Sequence, residues 1–202
     1  MPEMTFADPV LGPPFAAAFD YALERHRHDA RKGTKTPYIA HLLQVTGLVL
    51  EAGGSEEQAI AALLHDTIED AASEEVPIVK AEIRARFGER VLEIVLALSD
   101  SEGRQKRPWR VRKEAYLEQL RQETDTAVLE VSLADKVHNA TAIVRDLKTH
   151  GPSVWERFQG RKDGTLWYYG QLTTAYRLPA DTPLLRELCE VVRQMQELAA
   201  RS

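Results

Sequence analysis

Cysteine is almost missing from this 202-residue chain. Cys189 stands alone, so no intrachain disulfide can form and a reducing compartment fits. No apolar run approaches the roughly eighteen residues that a membrane span needs. The opening MPEMTFADPVLGPP lacks both a basic start and a long apolar block, so it does not read as a signal peptide, and a cytoplasmic protein is expected. Basic charge is in deficit: 26 Lys and Arg face 31 Asp and Glu, a net charge of −5 that disfavours a long DNA or RNA partner. Strand-like alternation, internal repeats and low-complexity linkers are absent as well. These absences leave an all-α, single-domain protein, either an enzyme or a binder of small ligands.

What is present is helical periodicity. Residues 1–14 read as an irregular lead-in, 15–180 as the main domain and 181–202 as a C-terminal helix packed on it. The pattern predicts a helix over 15–30 with Ala16, Phe19, Ala22 and Leu23 inward, closing near Gly33. Thr36 and Pro37 give an N-cap with proline at the first helical position, opening a helix that runs to about residue 52. Further helices are expected over 77–87, 89–98, 109–122, 124–150, 153–159, 164–176 and 183–200, with a polar loop over 100–108. In the long one, Leu129, Leu133, Val137, Ala140, Val144 and Leu147 keep a seven-residue rhythm. The last helix is a packing or dimerisation element, which leaves a homo-oligomer open.

The stretch AIAALLHDTIED, residues 59–70, carries the densest chemistry. Ser55 with Gln58 reads as a capping box that opens its helix. Side chains four apart share a face, so Glu69 is expected beside His65 and Asp70 beside Asp66. No Lys or Arg occurs between Ala59 and Val79, and the cluster falls at a helix C-terminus, where the dipole disfavours negative charge. A divalent metal would offset this; a solvated acidic helix end is the alternative. His41 lies on a stripe with Tyr38, Val45 and Leu48, as a ligand or as a core histidine. Asp135 lies at the edge of the buried face of the long helix, where an ionised carboxylate costs several kcal/mol unless paired or metal-bound. Lys136 next to it points about 100° away and is expected to be a poor partner. A salt bridge to a distant arginine is the alternative to a metal there.

Taken together, His41, His65, Asp66 and Asp135 form a mixed nitrogen and oxygen set that suits Mn²⁺, Fe²⁺, Co²⁺ or Zn²⁺. Cations cluster elsewhere: 14 of the 26 Lys and Arg lie in three windows, 25–35, 104–113 and 157–162. An acidic protein with local basic windows suits a small anionic ligand.

The order His, His-Asp, Asp, with gaps of 24 and 69 residues, resembles the HD phosphohydrolase superfamily. RKGTKTPYIAH around His41, AALLHDTIED around His65, FGERV after it and SLADKVHN around Asp135 resemble the hydrolase domain of RelA/SpoT proteins and the stand-alone small alarmone hydrolases. The resemblance spans residues 15–177. It implies an HD-type helical bundle with His41, His65, Asp66 and Asp135 as ligands of Mn²⁺ or another divalent transition metal. It implies Glu69 and Asp70 as the catalytic acidic pair that positions and deprotonates water. Arg31 and Lys32 match a basic pair bordering the nucleotide, Asn139 a sugar or phosphate contact, and Arg161 a further substrate arginine. Arg104, Lys106 and Arg112 are candidates to neutralise phosphate. Tyr38, Trp167 and Tyr168 can stack on guanine or pack in the core.

The implied reaction is removal of the 3′-pyrophosphate of guanosine 3′,5′-bis(diphosphate), ppGpp or pppGpp, leaving GDP or GTP. The runners-up are phosphohydrolysis of a nucleoside monophosphate or NADPH, and a non-catalytic nucleotide-binding module. The chain departs from its relatives at LSDSEGRQKRPW and at ATAIVRDLKTH after Asn139. Both stretches bear on nucleotide preference rather than on the metal.

Overall fold

In the computed structural model, residues 11–99, 103 and 107–201 are described. Among them the regular elements are α1 (Pro13–Arg25), α2 (Ile39–Glu51), α3 (Glu56–Leu64), α4 (Val76–Phe87), α5 (Glu89–Leu98), α6 (Trp109–Gln122), α7 (Thr126–His150), a 3₁₀ helix (Gly151–Arg157), α8 (Arg161–Ala175) and α9 (Pro183–Ala200). No strand occurs among the described residues, so the fold is all-α. No described helix is long and apolar enough to cross a membrane.

Two helices organise the rest. In α3 every residue from Gln58 to Leu64 is buried, so this helix is apolar all round and its neighbours enclose it. The capping box forms as its residues demand: Ser55 Oγ accepts from Gln58 N at 3.3 Å, and Gln58 Oε1 accepts from Ser55 N at 2.9 Å. The 25-residue α7 begins at the N-cap Asp125, whose Oδ1 accepts from Ala127 N at 3.0 Å. All six residues of its seven-residue rhythm are buried. The helix packs against α2, α3, α5 and α9. Gly151 then takes φ 65, a left-handed conformation that stops it.

Three expectations need correction. The first helix ends at Arg25 rather than near residue 30, because the His26 ring turns inward and its Nδ1 lies 3.0 Å from Asp29 Oδ2. Its buried face is Ala18, Tyr21 and Ala22, while Leu23 is 43% exposed. The second helix starts at Ile39 and not at Pro37, since Ala30 and Pro37 pair across the intervening loop. The helix expected over 153–159 is a 3₁₀ turn from Gly151 to Arg157. The loop expected over 100–108 falls mostly outside the described residues.

Loop 26–38 is therefore a closed structure rather than a helix tail. Arg31 N donates to Thr36 O at 2.8 Å and Tyr38 N to Asp29 O at 2.9 Å. Gly33 sits inside this loop at φ 73, and a Cβ there would stand 2.8 Å from Arg157 Cδ. The basic loop is thus seated on the arginine of the 3₁₀ turn.

Candidate metal centre and substrate cleft

Four side chains from distant segments converge. His41 comes from the first turn of α2, His65 and Asp66 follow the last residue of α3, and Asp135 comes from the middle of α7. His65 is the C-cap, and residues 65–70 continue as turns, so HDTIED lies just past the helix and not within it. Asp66 Oδ2 stands 3.0 Å from His65 Nε2 and 3.7 Å from His41 Nε2. Asp135 Oδ1 stands 3.2 Å from His41 Nε2 and 3.7 Å from His65 Nε2. Ligand atoms of His41, His65 and Asp66 all lie within 4.8 Å of one another.

The donor chemistry fits a divalent cation. His65 Nδ1 lies 2.8 Å from Ala62 O, which can only accept, so in the neutral ring the proton stays on Nδ1 and Nε2 is the nitrogen that offers a lone pair. That Nε2 is buried, and the atoms beside it are the Asp66 and Asp135 carboxylate oxygens at 3.0 and 3.7 Å. Two imidazole nitrogens and two carboxylate oxygens facing one point suit a cation better than a protein hydrogen-bond network.

Each converging group is held from behind. The Tyr38 hydroxyl donates to Asp66 Oδ2. Asn139 Nδ2 donates to Asp135 Oδ1 at 2.5 Å, and its own Oδ1 accepts from Arg31 at 2.6 Å. His41 Nδ1 lies 2.7 Å from His138 Nδ1. Lys136 Nζ lies 2.6 Å from Asp135 Oδ2, which overturns the expectation that it is a poor partner. Backbone spacing alone sets the 100° divergence; the four-carbon stem folds back over the Tyr116 ring, its ammonium 4.9 Å from the centroid.

Charge follows this packing. Burial works against the charged form of His65, yet the Asp66 and Asp135 carboxylates outweigh it and lift its pKa to about 9. Burial would raise Asp66, but the facing His65 holds it below the usual carboxylate range. Burial likewise opposes ionisation of Asp135, and Lys136 leads the groups that hold it well below that range. The same pairing keeps Lys136 charged despite its burial.

Two spaces open beside this centre. The first, about 30 Å³, lies between His65, Asp66, Glu69, Asp135 and Lys136 and has room for a water molecule. The second is a cleft of about 820 Å³ whose lining includes seven Lys and Arg, from Arg31 and Lys32 to Arg157, but only two carboxylates, Glu69 and Asp146. Glu69, Lys113 and Lys136 border both spaces. Asp70 does not: it lines a separate cavity of about 360 Å³ with His26, Asp29 and Thr67. The acidic pair therefore faces in two directions.

The remaining sequence candidates divide. Arg31, Lys32, Tyr38 and Asn139 border the cleft, as do Arg112 and Tyr168. Arg161 does not; it is exposed and pairs with Glu156, while Arg157, four residues earlier, lines the cleft in its place. Trp167 is absent from the lining, and the Arg110 guanidinium covers its ring at 3.2 Å. Trp109 takes the place at the wall, close against Gly160, where a Cβ would meet it at 2.7 Å. Arg104 and Lys106 lie outside the described residues. Sequence reasoning missed His138, although it stands three positions after Asp135 and so shares its helix face.

Comparison with known proteins bears on the same residues. The HD domain pattern matches residues 18–166, a span that includes all four converging side chains. The chain belongs to the HD-domain family. Among its relatives, the guanosine-3′,5′-bis(diphosphate) 3′-pyrophosphohydrolase MESH1 of Xenopus tropicalis is 37% identical over 141 residues, 68% of this chain and 72% of that protein. The enzyme of the same activity from Aquifex aeolicus is 45% identical over 78 residues, 39% of this HD chain but 10% of the longer relative. A solved metazoan ortholog of SpoT, described as hydrolysing ppGpp, superposes with a TM-score of 0.71 at 28% identity, covering 94% of this chain and 98% of the other.

Proposed function

We propose that this HD-domain chain hydrolyses the 3′-pyrophosphate of guanosine 3′,5′-bis(diphosphate), releasing pyrophosphate and leaving GDP, or GTP from the pentaphosphate. One observation carries the reading: a largely buried two-histidine, two-aspartate cluster stands beside a water-sized space and a cleft lined by seven cations. A relative named for this activity matches 68% of the chain, and the HD domain pattern spans that cluster.

His41, His65, Asp66 and Asp135 would hold the cation. Mn²⁺ is our assignment, with Fe²⁺, Co²⁺ and Zn²⁺ suited to the same donors. Bound there, it supplies Lewis acidity that brings the pKa of water down toward neutrality. Glu69 borders the water-sized space and takes the proton from the attacking water. Arg31 and Lys32 hold the phosphates from the loop side, and Arg112, Lys113 and Lys136 hold them from the helices, offsetting charge as pyrophosphate leaves. Asn139, bonded to both Arg31 and Asp135, ties the anion-binding loop to the ligand aspartate. Asp70 acts from behind the site: its backbone N–H donates to Asp66 O at 2.9 Å, and its charge adds to burial and to Asp66 in keeping the Tyr38 phenol protonated. Trp109 and Tyr168 offer faces for the base at the cleft wall. Residues 15–180 are assigned to the hydrolase unit, with α9 laid on it against α7 and α8.

The test is incubation of the purified protein with ppGpp and Mn²⁺. GDP and pyrophosphate in equal amounts are expected, with turnover cut by about 10²–10⁴-fold in Glu69→Gln and by less in Asp70→Ala, which keeps the backbone N–H to Asp66. Orthophosphate release from NADPH or a nucleoside monophosphate, with ppGpp untouched, would assign the site to another phosphohydrolase. Nucleotide binding without product would make the chain a binding module.

A further inference from the structure

Both histidines of the centre need their outer nitrogen held, and the fold does this in two different ways. His65 Nδ1 faces the Ala62 carbonyl at 2.8 Å. His41 Nδ1 faces another imidazole: His138 Nδ1, at 2.7 Å. His41 is 1% exposed and His138 is 7% exposed, so the contact is buried although both residues border the cleft. At 2.7 Å two ring nitrogens share one proton, since two N–H groups would collide and two lone pairs would repel.

We propose that His138 is a positioning residue for the metal centre, acting through His41. The proposal rests on the reading of His41 as a ligand. A cation on His41 Nε2 requires the ring proton on Nδ1, and this N–H donates to His138 Nδ1. His138 then carries its own single proton on Nε2, and both rings are neutral. The rings are tilted by 36° with centroids 4.7 Å apart, so the contact fixes the rotation of the His41 ring as well as its tautomer.

The arrangement follows from one helical turn. Asp135, His138 and Asn139 share a face of α7. Asp135 presents Oδ1 toward His41 Nε2 at 3.2 Å, while His138 grips the opposite side of the same ring. The α7 segment therefore supplies a ligand of its own and sets the angle of a ligand carried by α2.

The experiment compares wild type with His138→Phe, which keeps ring volume but removes the acceptor, and His138→Asn, whose amide oxygen hangs from Cγ as Nδ1 does. Zn²⁺ serves as a diamagnetic probe. Its affinity is read by competition with a chelating dye, and ring protonation by two-bond ¹H–¹⁵N correlation of the Zn²⁺-loaded protein. Affinity is expected to fall about 10–100-fold in His138→Phe and to recover in large part in His138→Asn. The wild-type spectrum should place a proton on His41 Nδ1 and on His138 Nε2 alone. Unchanged affinity in His138→Phe, or a proton on His138 Nδ1 in the loaded protein, overturns the proposal while leaving the proposed function standing. A wild type that takes up no Zn²⁺ and no Mn²⁺ overturns both. Should His138→Phe fail to fold, the wild-type spectrum decides alone.

Discussion

His65 shows what a single residue gains from its setting. A histidine free in water loses its proton near pH 6.5, whereas here two carboxylates outweigh burial and hold the proton to about 9. A cation needs the lone pair that this proton occupies, so binding at neutral pH must expel it. The sign follows directly. Below about pH 9 the proton competes and metal affinity rises with pH; above it the competition vanishes. His41 adds nothing to this slope, because burial lowers its pKa. Apparent Mn²⁺ affinity should therefore climb about tenfold per pH unit from 6.5 to 8.5. Calorimetry in buffers of differing ionisation enthalpy should count one proton released per ion at pH 7. A flat affinity over that range would show that His65 is already neutral in the cation-free protein.

At the scale of elements, what could be read from sequence depended on whether a boundary was made locally. The bounds of α6 and α9 match the expected 109–122 and 183–200, and α9 opens on Pro183, whose missing N–H suits a first turn. The capping box before α3 was legible for the same reason. Where α1 ends was not legible, because His26 leaves the helical path to bury its ring beside Tyr38, a contact made across the loop. Lys136 was misjudged for a related reason: periodicity gives the direction of Cβ, not where a flexible stem folds once Asp135 is buried beside it. His41, His65, Asp66 and Asp135 could be picked out because their types and order are distinctive; the contacts of His138 and Lys136 are made only by tertiary packing. Local capping also sets a prediction. Asp125 caps α7 and takes a two-pronged contact from Arg90 at 2.6 and 2.9 Å. Asp125→Ala should cost about 1–2 kcal/mol, mostly through the lost cap, since the ion pair is largely solvent-facing. Thermal or urea denaturation will read this, and an unchanged midpoint would mean that packing alone holds the start of α7.

At the scale of the whole molecule, the net charge and the cleft oppose one another. The chain carries −5 overall, yet the cleft beside the centre is walled by cations contributed from loop 26–38, α6, α7 and the 3₁₀ turn. A long polyanion would have to lie across the acidic exterior, whereas a compact, highly charged nucleotide places its phosphates where the cations are concentrated. Selectivity by size and charge density thus comes from where the folded chain collects its arginines. Arg157 and Arg161 separate this account from one based on sequence windows, because both lie in the same basic stretch. Arg157 reaches the cleft, seated against Gly33 and paired with Asp146 at 2.8 Å, while Arg161 is exposed and engaged with Glu156. Arg157→Gln should raise KM for ppGpp about tenfold, the equivalent of about 1.4 kcal/mol of lost charged hydrogen bonding, and Arg161→Gln should leave KM unchanged. Added salt should raise KM in the wild type more steeply than in Arg157→Gln. Equal effects from the two arginines would mean that the substrate is drawn by the basic stretch as a whole, and that the cleft wall does not choose it.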